Sequence, residues 1–327
     1  MKPLFLSHNP HEVHLNFAKS INAKIKIIPF DNYVKLIKKY HFLSYFYQFI
    51  SLIYSLSLKI NQEVLFVDGG SALYVASFLK KRKKSLKIIY LDADLLFYEL
   101  TKKNKIIKKF LGIWIKDIDA VLSISEQNKK YITKFVKKPI ELIYPYPQEI
   151  KKQEIKRENY GLYVGRLDQD KNIKRILNFG AQCPSFDKFL IIGDGTEKDY
   201  IKKISSKNNK ITYLGKKENI EDYYSKCKFL IHLPDSDPHP CTTMEAAICG
   251  CYPIISKGTG TNYLFDNLFI INNPNDFNEI NNKIRYILKH SKKAEKSLKK
   301  SIPKIPTKEK ALNNFKTKFE KILKQLK

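Results

Sequence analysis

Apolar and polar positions repeat along this chain at two periods, and the two alternate. Short, mainly apolar runs occur at residues 4–6, 63–67, 87–91, 120–124 and 140–144, and 24–28 reads as a further strand with alternating lysines. Between them apolar residues fall three or four apart, as with Val13, Phe17 and Ile21. Buried parallel strands read as continuous apolar runs, and the helices between them read at period 3.6. The charged stretch 148–158 lacks an apolar face and marks a domain boundary. The alternation then restarts, with strands predicted at 160–164, 188–192, 211–214, 229–233, 252–255 and 268–271. The pattern predicts an α/β chain. Residues 1–150 and 151–303 form two doubly wound, Rossmann-like halves facing a cleft, and a terminal helix within 304–327 packs back on the first.

Residues 40–58 depart from this scheme. No charged residue occurs between Lys39 and Lys59. Phe42, Phe46, Phe49, Ile53 and Leu56 share one helical face, with Ser44, Gln48, Ser51 and Ser55 in a narrow polar stripe opposite. As a helix the uncharged run would span about 28 Å. It suits a core helix, a membrane-facing amphipathic helix or a membrane-spanning one. The serines, Gln48, His41 and the tyrosines lower its hydrophobicity, and the lysines at both ends suit the second reading. A further long helix after Asp94 carries the only tryptophan, Trp114.

At 327 residues there is room for two domains with their own cores. The hydrophobic content of 43% excludes a disordered chain. The formal net charge of +28 is almost all lysine, with arginine only at 82, 157, 166, 175 and 285. Either the whole composition is biased, or the chain meets an anionic partner such as a membrane leaflet or a phosphorylated substrate. Scarce arginine argues against nucleic acid. Five cysteines without paired spacing read as reduced thiols in a cytoplasmic chain. Cys249-Gly-Cys251 is not a zinc spacing, and His8, His11 and His14 have no cysteine with them, so no metal is expected. The N-terminus turns polar by Ser7, too soon for a signal peptide.

The stretch 235–258 carries the chemistry. A strand is predicted to end near Leu233, a proline-broken loop to follow, and a helix to start near Cys241. Unpaired N–H groups and the helix dipole make such a start a natural anion site. Asp237 and Glu245 bracket it, and sugar hydroxyls would suit these carboxylates.

In the second half, Tyr163-Val164-Gly165-Arg166-Leu167 with Lys171-Asn172, Ile192-Gly193-Asp194-Gly195, Tyr213-Leu214-Gly215 and the span from Asp237 to Glu245 follow one another in order. Together they resemble the motifs of the retaining GT-B glycosyltransferases of family 4. Asp237 stands where that family has glutamate, and His239-Pro240 where it has Phe-Gly. The glycine-rich turn usual after the first strand is replaced by Ser7-His8-Asn9-Pro10-His11. The resemblance implies transfer of a hexose from a UDP- or GDP-sugar, without metal or other cofactor, to a glycan or lipid-linked acceptor. It implies Arg166 and Lys171 on the diphosphate, Asp237 at the donor sugar and Glu245 on the ribose. Backbone N–H groups of Thr242, Thr243 and Met244 would meet the phosphates, with Gly165 and Gly195 in the turns beside them. His8 or Asn9 would contact sugar or diphosphate, and Asp92 or Asp94 the acceptor. A phosphorylase or nucleotide-sugar epimerase on the same fold, or a basic nucleic-acid-binding protein, are the alternatives. The expected location is the cytoplasm, at the inner face of a membrane.

Overall fold

A computed structural model describes residues 2–30, 43–103 and 105–326. It divides into two compact units, Met1–Pro145 with Lys308–Lys327, and Tyr146–Thr307. The first unit holds β1 (Leu4–Ser7), β2 (Lys24–Ile27), β3 (Val64–Asp68), β4 (Lys87–Asp92), β5 (Ala120–Ser123) and β6 (Ile140–Leu142). They form one six-stranded sheet in the order β2-β1-β3-β4-β5-β6, every pair parallel. Strand β3 is buried throughout, as its apolar run requires. The edge strand β2 is exposed, and Lys24 and Lys26 guard it against pairing with another chain. Strand order reverses between β1 and β3, where a doubly wound sheet opens its ligand-binding crevice. The helix Lys308–Gln325 closes this unit. Phe315 stacks on Phe17 at 4.6 Å, and Phe319 meets Phe66 edge-on at 5.7 Å.

The second unit repeats the design with β7 (Glu158–Val164), β8 (Lys188–Ile192), β9 (Ile211–Gly215), β10 (Cys227–His232), β11 (Tyr252–Ser256) and β12 (Ile270–Ile271). Its order is β12-β11-β10-β7-β8-β9, again all parallel, and its reversal lies between β10 and β7. Phe179, Phe186, Phe189 and Phe229 fill the core on one side of the sheet.

Three expectations change. The long helix expected to carry Trp114 is two, Leu96–Lys102 and Lys105–Ile115, with Trp114 in the second. At the break the Lys103 N–H closes a tight turn onto Leu100 O at 3.2 Å, in a lysine-rich segment with nothing apolar to bury. The last strand shrinks to Ile270–Ile271, because Asp266 caps a 3-10 turn over Asn267–Phe269.

The third change concerns 40–58. Tyr40, His41 and Phe42 lie outside the described residues, and the helix runs over Leu43–Ser57. Its polar stripe faces inward: Ser51 and Ser55 are fully buried. Small serines let the helix backbone come close to the helix Gly70–Arg82, and Ser55 Oγ donates to its own turn at Leu52 O, 2.6 Å. The apolar row is therefore turned outward, so the core-helix reading fails for that face. Among the described residues no helix is long and apolar enough to cross a membrane.

Candidate functional site

The turns after β7 and β8 interlock. Gly165 N donates to Ile192 O at 3.1 Å, Leu167 N to Asp194 O at 3.0 Å, and Glu197 N to Leu167 O at 2.8 Å. Gly193 adopts φ +144°, and a Cβ there would stand 1.9 Å from Gly165 O. At Gly195 a Cβ would stand 2.6 Å from Leu167 O. Only glycine permits this approach. The locked turn presents Arg166 at the surface, where its guanidinium pairs with Asp168 and donates to Asp170 at 3.0 Å. One 3-10 turn later the chain reverses through Asn172 at φ +53°. That reversal drives Lys171 inward, to 9% exposure.

Strand β10 ends at His232, and the loop beyond it is zipped to the loop after β11. Asp237 N donates to Gly258 O at 2.9 Å, and Gly260 N donates to Asp237 O at 2.8 Å. This holds the Asp237 carboxylate over the end of β7. There Oδ2 accepts from Lys171 Nζ at 2.7 Å and from His232 Nε2 at 3.0 Å. The Tyr163 ring lies nearly parallel to His232, with centroids 6.4 Å apart. Burial alone would raise the Asp237 carboxyl, but Lys171 and His232 hold it well below the usual carboxylate range. His239, also buried, is pulled down to about 4 by burial, against the opposing pull of Asp237, so its ring is neutral near pH 7.

The helix Cys241–Ile248 begins after Pro240, and no side chain caps it. Thr243 Oγ1 bonds Pro240 O at 2.9 Å and Thr261 Oγ1 at 2.8 Å, pinning the first turn, while Met244 is buried. Thr242 precedes both in the same turn. Glu245 is 8% exposed and accepts from Tyr224 OH at 3.1 Å and Gln148 N at 3.4 Å. Burial pushes its carboxyl up, against these two donors.

The sequence-derived residues thus separate into two groups. Arg166, Lys171, Asp237 and Glu245 belong to the neighbouring ends of β7 and β10, where the sheet order reverses, with Gly165 and Gly195 in the interlocked turns and Thr242–Met244 at the helix start. His8 belongs to the other unit, at the end of β1, where its Nε2 meets Tyr47 OH. Beside it Ser7 Oγ donates to Asp68 at 3.0 Å, and His14 Nδ1 meets the same carboxylate at 3.1 Å. Asp92 and Asp94 tie neighbouring strand ends of the first unit together. Asp92 is 1% exposed and accepts from Ser123 Oγ at 2.8 Å, and Asp94 accepts from Gly70 N at 2.8 Å and Leu96 N at 2.9 Å. The acceptor role read for Asp92 therefore does not fit its burial. Sequence reasoning missed His232, Tyr224 and Thr261. A histidine closing an otherwise apolar run was the one readable signal; the other two meet the site only through the fold. Among the described residues no group of three or more His, Cys, Asp or Glu side chains could hold a metal ion.

Residues 146–304 match the family described as Glycosyl transferases group 1. Two curated relatives come from Campylobacter jejuni subsp. jejuni serotype O:2. One, a GalNAc-alpha-(1->4)-GalNAc-alpha-(1->3)-diNAcBac-PP-undecaprenol alpha-1,4-N-acetyl-D-galactosaminyltransferase, is 32% identical over 120 residues, 34% of this chain and 33% of the relative. The other, an N-acetylgalactosamine-N,N'-diacetylbacillosaminyl-diphospho-undecaprenol 4-alpha-N-acetylgalactosaminyltransferase, is 24% identical over 213 residues, 60% of this chain and 57% of the relative. The match thus spans about one third and just over half of these relatives' lengths. Among solved structures, Anabaena Alr3699/HepE in complex with UDP and glucose aligns with a TM-score of 0.74 at 15% identity, covering 99% of this chain and 100% of that one. An E. coli structure described as trehalose-6-phosphate bound with UDP-2-fluoro glucose aligns with a TM-score of 0.74 at 12% identity, covering 98% and 99%.

Proposed function

With residues 146–304 matching the glycosyl transferases group 1, on a GT-B fold, we propose that this protein is a retaining glycosyltransferase. It moves a hexose from a nucleoside diphosphate sugar to a glycan or lipid-linked acceptor, in assembly of a cell-surface polysaccharide or a glycoprotein glycan. The observation that carries this reading is the buried Lys171–Asp237–His232 cluster beside Arg166, at the reversal point between β7 and β10.

Magnitudes divide the roles. Arg166 is 58% exposed on its side chain, so its pairs with Asp168 and Asp170 are surface pairs of about 0–1 kcal/mol. A diphosphate, doubly charged and matched to a guanidinium fork, replaces them readily. The Lys171–Asp237 pair is buried on both sides and does not exchange so cheaply. Lys171 therefore keeps Asp237 ionised and aimed at the donor sugar hydroxyls. Its three N–H donors still leave room for a phosphate oxygen. Both cations stabilise the charge that grows on the leaving diphosphate, which is how such a site works without metal. The uncapped start of the helix Cys241–Ile248 receives a phosphate on its N–H groups, at Thr242, Thr243 and Met244. Glu245 accepts from the ribose hydroxyls, and Gly165 and Gly195 keep the floor of the site flat. His8, at the reversal point of the first unit, stands on the acceptor side. The names of the relatives support an acceptor on an undecaprenyl diphosphate, met at the inner face of a membrane. The UDP complexes of similar structures favour UDP over GDP.

Isothermal titration with UDP and GDP tests the donor side. Wild type is expected to bind one of them, and Arg166→Ala at least ~10-fold more weakly, since charged hydrogen bonds are lost. Binding of neither nucleotide, with the variant indistinguishable from wild type, would sink the proposal.

A further inference from the structure

The helix Leu43–Ser57 is built inside out. A helix on a water-exposed surface normally turns its apolar stripe to the core. Here Tyr47, Ser51 and Ser55 face inward at 1%, 0% and 0% exposure, while Phe49, Ile53 and Leu56 stand outward at 57%, 53% and 59%. Phe46, 54% exposed, continues the row. This is not a loose end. Tyr47 meets Tyr74 edge-on at 5.9 Å, and Tyr54 meets Phe30 at 5.3 Å. The Arg82 guanidinium donates to Ser55 O and Leu58 O at the helix's far end. The outward row is therefore held in place by the inward one.

The surroundings are cationic. The helices Leu43–Ser57, Gly70–Arg82 and Lys105–Ile115 are linked through Tyr47, Tyr74 and Trp114, with Tyr74 and Trp114 at 5.3 Å. None of the three contains an Asp or Glu. Lys59 follows the first, and Lys80, Lys81, Arg82, Lys83 and Lys84 close the second. The unit that holds them carries 32 Lys and Arg against 13 Asp and Glu; the other carries 28 against 19. Lys80 is paired with Asp119 and Arg82 is bound to the helix end, so the cations left are lysines, which attract a charged surface without the bidentate geometry of specific recognition.

We propose that Phe49, Ile53 and Leu56 dock this unit on the surface of a lipid bilayer containing anionic headgroups. The apolar row enters the boundary between headgroups and acyl chains, and the lysines around it meet the lipid phosphates. A second copy of the chain is the poorer occupant, since it would set two copies of a unit with 32 Lys and Arg against 13 Asp and Glu face to face, along helices that contain no carboxylate. On the inward side of the same helix, Tyr47 OH meets His8 at the end of β1. Docking this helix therefore holds the reversal point of the first unit one helix behind the membrane surface. The docking itself does not require the glycosyltransferase reading; its purpose, access to a lipid-linked acceptor, rests on that reading.

Co-sedimentation of the 327-residue chain tests the proposal, with vesicles of phosphatidylcholine alone and of phosphatidylcholine with about one third phosphatidylglycerol. Wild type is expected to pellet with the anionic vesicles and to be released by raised salt. Phe49→Ser/Ile53→Ser/Leu56→Ser is expected to partition at least ~100-fold more weakly, from the apolar area it no longer buries. Its circular dichroism and its UDP affinity are expected to match wild type, which separates this test from the donor-site test. A triple variant that pellets as well as wild type would overturn the proposal, as would wild type that stays in the supernatant at low salt. Dimerisation of wild type in solution, abolished in the triple variant and without vesicle binding, would overturn it in favour of a second copy.

Discussion

Asp92 and Asp237 are both carboxylates near strand ends, both almost wholly buried, and they titrate in opposite directions. Neighbours make the difference. Asp237 has a lysine and a histidine within hydrogen-bond distance. Among the described residues Asp92 has the neutral donors Ser123 and Asn128, and Asp94 adds like charge. Burial, with the smaller contribution of Asp94, pushes the Asp92 carboxyl up to about 8, against those hydrogen bonds. The folded protein therefore holds a proton there that the unfolded chain releases near pH 4. Asp92 contributes stability that is fully present below that value and is lost as pH rises toward 8. Asp92→Asn is expected to abolish that loss. Unfolding free energies from urea titrations across this range should match wild type near pH 4 and exceed it at pH 8 by about 1–3 kcal/mol. Sequence could place both aspartates at strand ends. It could not show which has a cation beside it, because Lys171 and Asp237 are 66 positions apart.

Among the elements, the interlocked turns of β7 and β8 are legible one at a time. Val-Gly-Arg-Leu and Ile-Gly-Asp-Gly each read as a strand ending in a turn, but what each glycine avoids belongs to the other turn. Gly193→Ala places a Cβ in contact with Gly165 O and strains a positive φ. It is expected to cost about 3 kcal/mol or more and to weaken nucleotide binding along with stability. An unchanged denaturation midpoint would show that the turns can separate. The helix Leu43–Ser57 makes the complementary point. Its periodicity located a polar stripe and an apolar one, and periodicity carries no sign that tells inside from outside. The neighbouring helix set the direction, by accepting small serines at close range.

At the scale of the whole molecule, the last helix belongs to the unit in which the chain began. Phe315 is fully buried between Phe17 and Phe66, so its loss opens a cavity in that unit alone. Phe315→Ala is expected to destabilise the first unit by about 3–5 kcal/mol. Hydrogen exchange should quicken in β1 and β3 and stay unchanged in β7 to β11; uniform quickening would mean that the two units unfold together. The twofold repetition of strand and helix was plain in the order of apolar runs, because each period is a local property of a few neighbouring residues. The motifs of the second unit were plain for the same reason, each being a short segment at one strand end. What the fold alone decided was every relation between distant segments: the cation that holds Asp237, the tyrosine under Glu245, and the face that the inverted helix shows to its surroundings. Those depend on which strand ends lie side by side, and a parallel sheet brings together segments that the chain keeps far apart.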